Sequence, residues 1–191
     1  QALFVAPHIE SGTFMGTVPK IERAAREAQD LSAGDVVGPY RLEALLGEGG
    51  SASVWRAQRT DGTMKRAVAL KLPYFVGNTR GWAERIERER DVLANLNHPN
   101  VATIYDAGIA DNARPWLALE LINGEPINRY AQAKQLTGDA LVRLFLPVVR
   151  AIEHAHARGV IHRDVKPQNI LVSDNDRGEA QVKLLDFGIA K

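Results

Sequence analysis

The chain of 191 residues contains no cysteine. A disulfide framework and a thiolate metal site are therefore excluded, and the composition fits a reducing, cytoplasmic setting. No apolar run approaches the roughly 18 residues of a membrane-spanning helix. No basic segment followed by an apolar one opens the chain. This stretch thus carries no membrane segment, and a full-length protein could still be anchored through another part. An excess of charge is also missing. Lys and Arg number 24 against 23 Asp and Glu, for a net charge of +1, and nothing argues for nucleic acid or an acidic partner. A calcium loop is lacking too. Asp174, Asp176 and Gly178 look briefly like one, but Glu179 falls at the sixth position, where glycine is needed.

What is present is concentrated late in the chain. The run His162-Arg163-Asp164-Val165-Lys166-Pro167-Gln168-Asn169 is followed, after a short apolar strand and a polar loop, by Asp186-Phe187-Gly188. These residue types are those that phosphoryl transfer asks for. Asp164 can accept a proton from an attacking hydroxyl. Lys166 can neutralise charge on the moving phosphoryl group. Asn169 and Asp186 offer hard oxygen ligands to Mg²⁺, with Mn²⁺ as a possible substitute.

The two motifs, in this order, closely resemble the eukaryotic-type (Hanks-type) serine/threonine protein kinases. The lysine two places after the aspartate resembles the serine/threonine branch, and the Gly-Gly-Ser-Ala-Ser-Val-Trp loop has a bacterial flavour. The resemblance covers about residues 40–191. It implies an α+β, protein-kinase-like fold: a five-stranded antiparallel small lobe with one helix, then the first part of a mainly helical large lobe. Residues 1–34 read as an N-terminal arm, a mobile or loosely docked leader first, with a short helix over 21–31 packing on the small lobe as the alternative. Residues 35–122 read as the small lobe and 123–191 as the start of the large one.

Earlier segments fall into place beside it. Tyr40 to Leu46 reads as a strand running into Gly47-Glu48-Gly49-Gly50-Ser51-Ala52-Ser53-Val54. Glycines let a backbone approach phosphates closely, so that its amides donate to them. Alone, this run is also compatible with a plain hairpin turn. A dinucleotide fingerprint requires a helix next, whereas Val54 to Ala57 is strand-like, and no Gly-Lys-Ser/Thr of a Walker A loop follows. The run resembles the kinase glycine-rich loop, with Ala52 in place of the third glycine. Lys71 lies in the apolar strand Arg66 to Leu72. Glu89 falls inside the apolar stripe Trp82, Ile86, Leu93, Leu96 of the next helix, and a carboxylate there needs a partner. Lys71 is the natural one, and the resemblance implies that this pair orients the lysine toward the α- and β-phosphates.

The resemblance also implies the rest of an ATP site. Leu46 through Val54 would line the phosphate side. Val54, Ala69 and Leu171 would sandwich the adenine. Leu119 would be the gatekeeper, and Glu120 and Ile122 would belong to the hinge. Leu93, Ile104, His162 and Phe187 would stack into a column. Arg163 matches kinases switched on by activation-loop phosphorylation. The implied reaction moves the γ-phosphate of Mg-ATP to Ser/Thr hydroxyls of proteins, the chain itself included. The competing class is a pseudokinase, a nucleotide-binding or scaffolding module. Its usual mark, loss of the lysine or of either aspartate, is absent.

Further expectations concern local structure. Strands are expected over Val101 to Asp106 and Trp116 to Leu121. A helix is expected from Asn123, and a long one over Ala140 to Arg158, with Thr137 as its N-cap and Leu141, Leu144, Phe145, Val148, Ile152 and Ala155 on its buried side. Pro147 should kink or break it, and Gly159 should end it. Gln1 and the ending at Lys191 read as cuts. A piece ending there would expose an apolar face of the long helix and be weakly active or inactive by itself.

Overall fold

A computed structural model describes residues 31–74, 96–111 and 114–187. Residues 82–95 of the expected helix, with Glu89 and Leu93, residues 1–30 of the expected arm, and Gly188 lie outside the described residues, and Leu96 is buried but not helical. The described chain divides into two compact units, one built from the segments up to 74 and 104–121, the other from 96–103 and 122–187.

The first unit is an antiparallel sheet. Its strands are β1 (Val36–Val37), β2 (Tyr40–Glu48), β3 (Ala52–Arg59), β4 (Val68–Pro73), β5 (Ile104–Ile109) and β6 (Pro115–Glu120), in the order β1-β2-β3-β4-β6-β5. Six strands stand where five were expected. The extra one is the two-residue β1, turned back on β2 at Gly38. Alternation along β4 divides its side chains between two faces. Val68, Leu70 and Leu72 are buried, and pack with Trp55, Ala57, Tyr40, Leu42, Trp116 and Ala118 into one core. Burying a residue such as Leu70 contributes about 1.5–3 kcal/mol. Ala69 and Lys71 therefore lie on the opposite face. Arg59 fastens the strand ends: its guanidinium donates to Asp106 of β5 at 2.7 Å and to Asp61 in the β3–β4 turn at 2.8 Å.

Trp116 sets a local limit on this packing. A Cβ added at Gly108 on β5 would lie 2.6 Å from its Cζ2 atom. Gly108 and Trp116 are register partners, so the ring covers the glycine directly. Gly108→Ala should cost about 1–3 kcal/mol of stability, from forced displacement of a buried ring. Chemical denaturation checks this, and an unchanged midpoint would contradict it.

The second unit holds β7 (Glu125–Pro126), α1 (Ile127–Ala133), α2 (Gly138–His156), a 3₁₀ turn at Pro167–Asn169, β8 (Ile170–Asp174) and β9 (Ala180–Leu184). The three strands form an antiparallel sheet in the order β7-β8-β9. The chain after Asn123 thus makes a short strand before the expected helix begins. The Tyr130 hydroxyl donates to Asp174 at 2.5 Å and Lys134 bridges the same carboxylate at 2.9 Å, tying α1 to the end of β8.

Three local expectations change. Val101 does not begin the strand that reaches Asp106. It makes a parallel bridge to Leu184, while Ala102 N–H donates to the Leu184 carbonyl at 2.9 Å and Leu184 N–H to that of Asn100 at 2.8 Å. The chain changes partner between Thr103 and Ile104. Pro147 does not break α2. Leu144, Val148, Ala151 and Ala155 are buried around it, and that packing outweighs the roughly 3 kcal/mol of an interior proline. Phe145 is not on the buried side. It is 40% exposed and shares a stripe with Val142, Leu146 and Val149. Thr137 does occupy the N-cap position, but its side chain makes no capping bond.

Candidate active site

The end of α2 delivers the chain to the polar loop. Gly159 has φ +74°, which suits glycine. Its N–H donates to the His156 carbonyl at 2.9 Å, and that of Val160 to Ala155 at 3.0 Å. This pair of bonds is a Schellman motif, and it stops the helix at the expected glycine.

His162 then anchors the loop. It is 2% exposed. Its Nδ1 accepts from the Asp164 N–H at 3.3 Å, so Nε2 carries the proton and donates to the Leu185 carbonyl at 2.6 Å. Burial is the main cause that pushes its pKa below the ordinary 6.5, which favours this neutral, doubly bonded ring. The ring also packs at a tilt against Phe187, with centroids 4.7 Å apart. The Leu185 N–H donates to the Asn169 carbonyl at 2.8 Å. The segment before Asp186 is thus stitched to both ends of the 162–169 loop.

Asp164, Lys166 and Asn169 come together within that loop. The Asn169 side-chain amide donates to the Asp164 carbonyl oxygen at 2.8 Å and to its Oδ2 at 3.0 Å. Lys166 Nζ lies 2.9 Å from the same Oδ2. Asn169 is buried, and the 3₁₀ turn begun by Pro167 holds its backbone. Because its NH₂ is spent on Asp164, its carbonyl oxygen is the half left to serve a hard cation. Arg163 and Asp186 have φ of +63° and +51°. Left-handed backbone at residues other than glycine costs free energy and clusters at functional sites.

The other sequence-predicted residues lie in the first unit or flank the sheet of the second. Gly47 pairs with Val54 and Glu48 with Ser53 at the base of the β2–β3 turn, where Leu46 sits at a register slip. Gly49, Gly50 and Ser51 form the turn itself, with the Gly49 N–H donating to the Ala52 carbonyl at 3.0 Å. A Cβ at Gly50 would meet nothing within 4 Å, and its φ is not left-handed. Neither crowding nor backbone conformation requires glycine there, and the open space leaves the turn's backbone accessible to close approach by a ligand. Lys71 is in register with Val54 and with Leu117, and Ala69 with Leu119. Val54, Ala69, Lys71 and Leu119 therefore share the sheet face opposite the core. Glu120 ends β6, Ile122 follows it, and Leu171 is buried on β8 opposite Pro126. Of the expected column, His162 meets Phe187, Ile104 belongs to the first unit, and Leu93 lies outside the described residues, as does Glu89 with its expected pairing to Lys71.

Sequence reasoning missed Tyr74. Its hydroxyl donates to Glu48 Oε1 at 2.6 Å and its backbone N–H to the Ser51 carbonyl at 2.8 Å. A lone tyrosine beyond a strand carries no motif that would have marked it.

Comparison with known proteins identifies relatives. A family model described as the protein kinase domain matches residues 40–191. The serine/threonine-protein kinase PknJ of Mycobacterium tuberculosis is 38% identical over 165 residues, covering 86% of this chain and 28% of the relative. PknA of the same species is 39% identical over 163 residues, covering 81% of this chain and 36% of the relative. The chain thus spans about a third or less of the length of these curated relatives. Among solved structures, the M. tuberculosis PknI kinase domain has a TM-score of 0.68 at 27% identity, over 84% of this chain and 64% of that one.

Proposed function

The chain belongs to the protein kinase family, and from that premise we propose that the protein it comes from transfers the γ-phosphate of ATP to serine and threonine hydroxyls of proteins. The observation that carries this reading is the convergence of Asn169 and Lys166 on one carboxylate oxygen of Asp164. A base for the incoming hydroxyl, a cation for the moving phosphoryl group and a metal-binding carboxamide are thereby held in a single loop.

Each residue has one task in this reading. Asp164 orients the substrate hydroxyl and takes its proton. The hydroxyl oxygen bonds to the γ-phosphorus as the bond to the bridging oxygen breaks, and ADP leaves. Lys166 offsets charge on the transferred group. Lys71 would pair with the α- and β-phosphates, and by the sequence pattern Glu89 would be the carboxylate that orients it. Asn169 and Asp186 would hold Mg²⁺, whose charge would offset that of the phosphates. The turn from Leu46 to Val54 would lie over the phosphates, Val54, Ala69, Leu119 and Glu120 are the first unit's candidates for contact with the adenine, and Ile122 and Leu171 are those of the second. Residues 35–122 form the nucleotide lobe, and 123–191 begin the lobe that carries the base. Serine/threonine-protein kinases among the relatives support the hydroxyl class, as does Lys166 two places after Asp164.

The test is phosphate transfer from γ-labelled Mg-ATP by the longest natural form of the chain, to itself and to a basic protein, with phosphoamino-acid analysis. Phosphoserine or phosphothreonine is expected. No transfer, with Mg-ATP still raising the melting temperature, would reduce the protein to a nucleotide-binding module. No transfer and no thermal shift would mean the site has been misassigned.

A further inference from the structure

Tyr74 follows directly on β4 and reaches the β2–β3 turn in two places. Its N–H donates to the Ser51 carbonyl at 2.8 Å, and its hydroxyl donates to Glu48 Oε1 at 2.6 Å. Glu48 is the last residue of β2, and its register partner Ser53 lies near the start of β3. Ala52 pairs with Pro73 across β3 and β4, so the backbone bond to Ser51 extends that ladder one step into the turn. Among the described residues, the turn's own closing bond is Gly49 N–H on the Ala52 carbonyl, at 3.0 Å. Two adjacent glycines, with open space at Gly50, leave the turn little side-chain packing to fix its shape. The tyrosine supplies from outside what the turn lacks within.

We propose that Tyr74 is a positioning residue for nucleotide binding, a latch that fixes the 49–51 turn through its hydroxyl on Glu48 and its backbone on Ser51. The inference rests on reading that turn as the phosphate cradle. Burial, and then the bond to Glu48, push the phenol pKa upward, so the hydroxyl keeps its donor proton throughout the physiological range. A turn already held in one conformation loses less freedom when it closes on phosphates, and that saving appears as affinity. The hydroxyl touches no reacting atom in this scheme. Its loss is expected in nucleotide affinity and in the mobility of the free turn.

Tyr74→Phe removes the oxygen and keeps the ring and the backbone bond. In the longest natural form of the chain without nucleotide, the variant should exchange the amides of 49–53 several-fold faster than wild type. Exchange in β4 and β6 and the melting temperature should stay close to wild type. Mg-ATP should bind about three- to tenfold more weakly, the worth of one hydrogen bond, with the change concentrated in KM for ATP. Tyr74→Phe combined with Glu48→Ala should exchange no faster than Tyr74→Phe alone, because both break the same contact. Unchanged exchange at 49–53, or faster exchange spread across the whole sheet, would overturn the latch. So would unchanged ATP affinity in a wild-type protein that does bind ATP. Wild-type protein that binds no Mg-ATP would instead remove the phosphate-cradle reading, and the positioning role with it, even if the turn still loosens in Tyr74→Phe.

Discussion

Asp164→Asn is expected to lower phosphate transfer by about 10²–10⁴-fold, the usual contribution of a positioned general base. The substitution is nearly isosteric, so most of the geometry survives. Asn169 can still donate to the backbone carbonyl of residue 164, the shorter of its two bonds there at 2.8 Å. What disappears is the charge that pairs with Lys166 at 2.9 Å and that, in the proposed reaction, accepts the hydroxyl proton. The fold change should therefore appear in kcat, with KM for ATP near wild type. Steady-state assay beside Mg-ATP titration separates the two. A variant that retained full turnover would remove Asp164 from the chemistry. One that lost ATP affinity as well as turnover would make it a structural residue of the loop.

The second large effect concerns stability. His162→Ala should cost about 3–4 kcal/mol, because three losses fall at one place. A buried ring is replaced by a cavity beside Phe187. The Leu185 carbonyl loses its 2.6 Å donor. The Asp164 N–H loses its acceptor. Urea denaturation checks the magnitude, and a shift under 1 kcal/mol would contradict it.

The same ring makes stability depend on pH. Burial depresses the His162 pKa below 6.5, so the unfolded chain binds a proton that the folded chain resists. The stabilisation is complete above pH 6.5 and is lost progressively as pH falls from 6.5 toward the folded pKa. His98 acts in the same direction. Its pKa is lowered by burial first, and then by His154, Arg158 and Lys183 around it. His162→Phe should flatten part of the slope below pH 6.5 and leave the share of His98. A slope unchanged by that substitution would mean His162 does not titrate differently on folding.

Which features were legible in the chain follows from how local their causes are. The loop from His162 to Asn169 announces itself because its chemistry resides in side-chain types at short spacing. The β8–β9 hairpin and the Gly159 helix end are likewise local, set by alternation and by a left-handed position. Val101 misled because Val-Ala-Thr-Ile-Tyr reads as one strand, while the choice of partner, Leu184 before Thr103 and β6 after it, is made by residues far along the chain. Pro147 misled because intrinsic propensity was set against packing, and four buried residues decided it. Phe145 looked internal because α2 is apolar around more of its circumference than one face of packing consumes. Tyr74 left no trace, since a hydrogen bond across 26 positions has no sequence period. The partnership of Lys71 with Glu89 rests on the pattern of the chain alone, as Glu89 lies outside the described residues.

The backbone at Arg163 and Asp186 has a practical consequence for anyone engineering this protein. Both side chains occupy conformations that glycine or asparagine would adopt more cheaply, by something on the order of 1 kcal/mol each. A library sorted for thermal resistance alone would therefore drift toward those residues at 163 and 186. In the reading given above, the clones that won such a contest would be the ones least able to hold a metal ion or answer an incoming phosphate. Thermostabilising campaigns should hold the two codons fixed, and any that leave them free should sort for turnover in alternate rounds.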